Sequence, residues 1–261
     1  MKLKILIISV TVFLIFGLLS PMPDVNYDNS SISPFSNINY LLGTTKKGEN
    51  FILIIYKGIS TTLIIGIIAS ILTIILTITY HVLATLSGKN KKIINWIFLV
   101  LAEVSNLTPV LLIVIIVGAV TKINLGLLSI VISLTLFSIS YRLTINSFDQ
   151  FLNEPSTKFA LKNNFNKIKI IKNYYFKTLK SNLISTSLIL LIFAVGIEIN
   201  IGYLRYGLDI NTYYSFGRIV QENINYLGTT LSLGIIIPIT LITLFLYLSI
   251  LYVTKLEKAN D

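Results

Sequence analysis

Residues Arg142–Ser181 read RLTINSFDQFLNEPSTKFALKNNFNKIKIIKNYYFKTLKS, a basic, polar stretch set between long apolar runs. Connections inside compact domains are mostly about 2–8 residues long, so this segment is an element in its own right rather than a turn. Phe159, Leu161, Phe165, Ile168 and Ile171 recur at near three- or four-residue spacing, with lysines between them. That spacing puts apolar side chains on one side of a helix. The stretch is expected to form a loop with one or more short amphipathic helices, presented to a partner and held in place by the rest of the chain.

The flanking sequence defines the solvent. Of 261 residues, 54% are hydrophobic and only 12% charged, and mean hydropathy is +0.81; ordinary globular chains carry roughly 25% charged residues. Apolar runs of about 20 residues match the thickness of a bilayer core, so the fold class is an all-α polytopic membrane protein. With no cysteine, disulfides, thiolate nucleophiles and cysteine metal sites are excluded. No G-x-x-x-x-G-K-[ST] phosphate loop, H-E-x-x-H or G-x-S-x-G is present, which argues against nucleotide hydrolysis or other enzyme chemistry in this chain. No catalytic residue and no metal site is assigned, and no cofactor is expected.

Six transmembrane helices are expected. Residues 1–20, apolar after Lys2 and Lys4, read as an uncleaved first helix in preference to a signal sequence, because SPMPD lacks a small-x-small cleavage site. Residues 21–58 form a polar extracytoplasmic segment, and 59–253 the core domain. Its spans are expected at about 59–83, 94–118 (with Pro109), 125–141, 182–204 and 229–253 (with Pro238), and 254–261 form a tail. With both termini cytoplasmic, the inside segments 1–4, 84–93, 142–181 and 254–261 hold 15 of the 21 Lys and Arg residues and sum to +11, against +1 outside. This is the positive-inside pattern. The overall +10 is therefore topological, and nucleic acid is not needed to explain it.

Few residues in the spans are candidates for chemistry. Glu103 and Glu198 are carboxylates in apolar surroundings, and such groups face a pathway or pair with a neighbour. His81 is the single histidine, with no second His or Cys beside it, and is expected to be solvated or interfacial. Within the loop, Phe159, Phe165, Ile170 and Ile171 need a surface to bury against, either the chain's own helix ends or a partner.

Three separated stretches resemble the permeases of bacterial peptide/nickel ABC importers, in particular the second of their two paired permeases. LLGTTKKGENFILIIYKGISTTLIIG (Leu41–Gly66) is similar to that family's LGTD-x-x-GRD opening, with Leu42, Gly43, Thr44, Gly48 and Gly58 in register and Thr62 where Ser is usual. Glu103 and Pro109 keep the spacing of its D-x5-P element. EINIGYLRYGLDINTYYSFGR (Glu198–Arg218) is similar to its E-x-S-L-x-F-L-G-L-G…S-W-G-R segment, with Phe216 in place of Trp. The loop at 142–181 falls where the family carries its EAA motif. In that register Phe159-Ala160 takes the place of Ala-Ala, Asn164 that of the glycine, and Ile170-Ile171 that of the paired apolar residues.

The resemblance covers most of 41–253 and implies a type I ABC importer permease fold, with a coupling helix at about 156–166. It implies an ATP-driven importer of peptides or nickel and other metal chelates, in a bacterial cell membrane. The implied partners are a homologous permease, two ATPase subunits that bind the ATP, and an extracellular substrate-binding lipoprotein. The coupling surface would then be Phe159, Ala160, Asn164, Phe165, Ile170 and Ile171, with Glu103, Pro109 and Glu198 as pathway or structural residues. An ion-coupled secondary transporter using the two glutamates as proton sites, and a diverged permease without transport activity, are the alternative readings.

Overall fold

The computed structural model of the chain describes residues 14–87, 90–163, 167–208, 213–226 and 228–258, the side chains of 167–168, 172–173, 230, 234–235 and 252–258 excepted. Most of the expected first span lies outside these residues, as do Asn164 and Phe165. Residues 14–19 are helical (α1), and Gly17 lets this helix lie directly against Ser60 and Tyr56.

The centre is α2 (Phe51–Leu86), which packs most extensively on α5 (Leu125–Asn153) and α8 (Phe176–Tyr203). α2 begins at Phe51 rather than 59 because Asn50 caps it, its side chain accepting from the Ile52 N–H at 2.9 Å. Several of its threonines are compatible with an apolar interior because their hydroxyls donate to carbonyls one turn back in the helix. Thr73 donates to the Ala69 carbonyl at 2.8 Å, Thr77 to Thr73 at 2.9 Å and Thr85 to His81 at 2.8 Å. Two of them also reach α5, Thr73 to the Ser133 carbonyl at 3.1 Å and Thr77 to Ser140 Oγ at 2.6 Å. Such hydroxyl contacts hold helices together where lipid gives no hydrophobic drive. Around them pack Ile65, Ala69, Ile132, Leu136, Leu190 and Ala194, all buried.

Proline sets the breaks. The span expected at 94–118 is two helices, α3 (Lys91–Leu107) and α4 (Val110–Val120), bent by 88°. Pro109 offers no N–H and forces Thr108 into an extended conformation (φ −88°, ψ 117°), which ends α3. Pro155 acts likewise: Glu154 is extended (φ −53°, ψ 135°) and the proline opens α6 (Pro155–Lys162). α7 (Lys167–Ile170) and a five-residue π-helical segment (Ile171–Tyr175) lead into α8. α9 (Phe216–Asn223) and α10 (Leu233–Lys258) complete the order.

Among the described residues three helices, α2, α5 and α8, are long and apolar enough to cross a membrane, and four if α3 and α4 are one broken span. The apolar stretch Ile236–Leu251 of α10 is shorter. No strand forms among these residues, only an isolated bridge between Thr44 and Asn50.

Candidate functional site

Polar chemistry concentrates at the two ends of the bundle and at one point between them. At the α6 end, α5, α6, α7 and the π segment close over a core of Tyr80, Ala84, Phe148, Phe151, Tyr175 and Leu179. His81 sits inside it, fully buried. Its ring stacks on Phe148 (centroids 4.2 Å apart, 9° between planes), Nδ1 is 2.8 Å from the Tyr175 hydroxyl and Nε2 is 3.4 Å from Thr144 Oγ1. The solvated histidine expected from sequence is thus a buried one, because Tyr175 in the π segment supplies the hydrogen bond that water would have given. A π turn inserts one residue into the helical register and is common where function needs a side chain re-aimed. Here it carries Tyr175 from the loop into the core between α2 and α5.

α6 lies on this core by one side only. Thr157 and Ala160 are buried, and Phe159 is 65% exposed. Ile170 and Ile171, at 2% and 8% exposure, belong to the core beneath α6. Of the six residues expected to form a coupling surface, Phe159 faces outward, Ala160, Ile170 and Ile171 face inward, and Asn164 and Phe165 are not among the described residues.

At the opposite end, residues 41–50 fold against α8 and α9 around a cavity of about 410 Å³ lined by Thr45, Glu49, Arg205, Tyr213, Arg218 and Tyr226 among others. Gly43 and Gly48 hold positive φ (80° and 76°), and a side chain on Gly48 would run into the Asn26 carbonyl. Only glycine fits this turn, which aims Thr45 and Glu49 at the cavity. Glu49 accepts from the Tyr214 hydroxyl at 2.6 Å and from Thr45 Oγ1 at 3.1 Å. Arg218 pairs with Glu222 at 2.8 Å, donates from Nη1 to the Tyr213 carbonyl at 3.1 Å and lies over the Tyr214 ring. Burial, with the Glu49 carboxylate adding to it, pushes the Tyr214 hydroxyl well above the ordinary tyrosine range.

Glu198 closes the floor of the cavity and is 1% exposed. Thr62 donates to its Oε2 at 2.5 Å, and the same Thr62 oxygen accepts from the Phe216 N–H at 3.0 Å. One carboxylate and one hydroxyl thereby join α2, α8 and the start of α9. Gly217 allows the close approach, since any side chain there would meet the Ile199 carbonyl.

Glu103 and Pro109 belong to neither the buried core under α6 nor the cavity lining. Glu103 on α3 accepts from Arg142 Nη2 on α5 at 3.2 Å, with both side chains about half exposed. The sequence singled out both glutamates, Pro109 and, as a landmark, Thr62, but not the pairings: Glu103 with Arg142 and Glu198 with Thr62 join elements remote in the chain, as do Glu49 with Tyr214 and His81 with Tyr175. Among the described residues no three His, Asp or Glu side chains group to hold a metal ion.

No family model matches the chain, and no curated protein matches its sequence. Solved structures do match. The fold is similar to a chain of the MetNI methionine ABC transporter in its inward-facing conformations, with a TM-score of 0.54 and 15% identity, over 78% of this chain and 96% of that one. At this identity the likeness is one of fold: an all-α membrane protein built like a chain of an ABC transporter.

Proposed function

We propose that this chain is the membrane-spanning permease subunit of an ATP-driven ABC importer, working by alternating access. The observation that carries the reading is α6. It is a short helix set off by Pro155, packed on α5 and α7 with Thr157 and Ala160 buried, Ala160 in the core shared with Tyr80 of α2, Phe148 of α5 and Leu179 of α8, and with Phe159 turned outward. A helix so mounted passes a push from outside directly to the membrane helices, because packed cores rearrange between discrete states rather than deform. The similarity of fold supports it, and so do the family landmarks at Leu41–Gly66 and Glu198–Arg218.

In this proposal the α6 end is cytoplasmic and two ATPase subunits bind the ATP, this chain contributing no catalytic residue and no cofactor. A homologous permease completes the pathway, and an extracellular binding lipoprotein delivers cargo to the end carrying residues 41–50. The cargo class is peptides or nickel and other metal chelates, which rests on the sequence landmarks alone. The carrier alternative is disfavoured by Glu198, which is 1% exposed and whose Oε2 is taken by Thr62 in a junction between helices.

The test is co-purification from mild detergent of the tagged chain, wild type and Phe159→Asp, from cells of its own host. An ATPase subunit retained by the wild type and lost by the variant is the expected result. Absence of an ATPase from every wild-type preparation sinks the reading.

A further inference from the structure

The cavity beside residues 41–50 is polarised. Its acidic walls are inside: Glu49 is 4% exposed and Glu198 1%. Lys46, Lys47 and Arg205 line the same cavity and are exposed, so basic groups stand at its rim. Arg218, also in the wall, pairs with Glu222 at 2.8 Å. Arg205 holds a positive φ (62°) just past α8, a conformation costly for a residue with a side chain. Its Nε donates to Gln221 on α9 at 2.7 Å, which fixes the guanidinium at the rim.

Glu49 lacks a cation. Its two side-chain hydrogen bonds come from neutral hydroxyls, Tyr214 and Thr45, and no ion pair reaches it among the described residues. A carboxylate has about four acceptor sites, so two remain for a further donor. Burying a carboxylate with no cation beside it is costly, and a cationic ligand group relieves that cost. Tyr213 adds an aromatic wall to the cavity, a surface that also attracts cations. In the register of the LGTD-x-x-GRD landmark Glu49 stands at the arginine, so this acidic wall is a feature of the present chain.

We infer that the cavity binds a small zwitterion, whose α-ammonium group enters toward Glu49 and whose carboxylate stays among Lys46, Lys47 and Arg205. A volume of about 410 Å³ lies at the small end of ligand pockets, about 300–1,000 Å³. An ammonium group fits better than a metal ion, because no three His, Asp or Glu side chains group together among the described residues. A free amino acid and a short peptide share this chemistry. That the zwitterion is cargo rests on the permease reading; that the cavity binds it does not.

Photoleucine and alanyl-photoleucine, an amino acid and a dipeptide with a diazirine side chain, are irradiated with the intact complex in mild detergent. Adducts on this chain are then mapped by mass spectrometry. The expected result is saturable labelling within 41–50, 202–206 or 213–226, and the probe that gives it identifies the amino acid or the peptide as ligand. Dialanine should compete, and N-acetyl-dialanine, which has lost the ammonium group, about tenfold less well or worse. Glu49→Gln keeps an acceptor for Tyr214 and Thr45 and should weaken labelling by about tenfold or more, with the ATPase still co-purifying. Arg205→Ala at the rim should weaken competition by dialanine and leave that by dialanine amide unchanged. No labelling of these segments by either probe, equal competition by the acetylated dipeptide, or undiminished labelling of Glu49→Gln overturns the inference; if the ATPase is retained in that preparation, the permease reading stands. Labelling of the expected kind in preparations that never carry an ATPase upholds the site and counts against the permease reading.

Discussion

Tyr175→Phe removes one oxygen atom and, with it, the hydrogen bond that joins the π segment to α2. The ring keeps its edge contacts with Phe151 and Phe176 (centroids 5.7 and 5.1 Å), so the loss is confined to the 2.8 Å contact with His81 Nδ1. That nitrogen is then fully buried with no partner from the π segment, and Thr144 at 3.4 Å serves only the other side of the ring. A buried polar group left unsatisfied costs about 1–3 kcal/mol. That corresponds to about 5- to 150-fold in the local opening equilibrium. Hydrogen-exchange mass spectrometry on the detergent-solubilised protein should show faster exchange across 171–179 and little change in α9. His81→Phe keeps the stack on Phe148 and should cost a similar amount. The double variant should cost less than the sum, because no polar atom is then stranded. Additive effects, or unchanged exchange in Tyr175→Phe, would show that the pair does not fasten the π segment.

Three further substitutions and one control probe the other end. Thr62→Val leaves Glu198 only its Ser215 contact and strands the Phe216 N–H, so it should destabilise the solubilised protein by about 1–3 kcal/mol; thermal unfolding indistinguishable from wild type counts against the junction. Gly217→Val drives a side chain into the Ile199 carbonyl and should separate α9 from α8, read as loss of exchange protection in 216–223, whereas Gly196→Ala, with nothing near its Cβ position, should be silent. Tyr214→Phe tests a pH dependence. Because burial and Glu49 raise the folded phenol, the unfolded chain releases its proton first. The stabilisation is therefore complete below pH about 10 and lost as pH rises above it. Wild type should accordingly lose stability above pH 10 more steeply than Tyr214→Phe, and parallel curves would contradict the contact.

The fold class was legible because solvent leaves few choices: so apolar a chain can bury its backbone polar groups only as helices. The breaks were partly legible. Pro109 marked a bend, but its 88° size depends on how α4 packs on α5, and the pattern of 94–118 read as one span. The resemblance placed a helix at about 156–166; α6 starts one residue earlier, at Pro155, and its described end is Lys162. The partners were illegible. Thr62 and Glu198 are 136 residues apart, and His81 and Tyr175 are 94 apart, so no local period connects them. Tyr175 faces inward only because the π segment shifts its register, which neither apolar spacing nor charge reveals. Ile170 and Ile171 were legible as apolar and in need of cover; that the chain supplies it became clear only with α2 and α5 in place.

The outward side of α6 bears most directly on the proposed function. A photo-crosslinking residue at Phe159, compared with one at Phe193 on α8 (48% exposed), reports what touches each in the assembled complex. The account predicts an adduct between position 159 and an ATPase subunit, strengthened or weakened by nucleotide, and none from position 193. A complex that retains its ATPase subunits but gives no such adduct from 159 contradicts it.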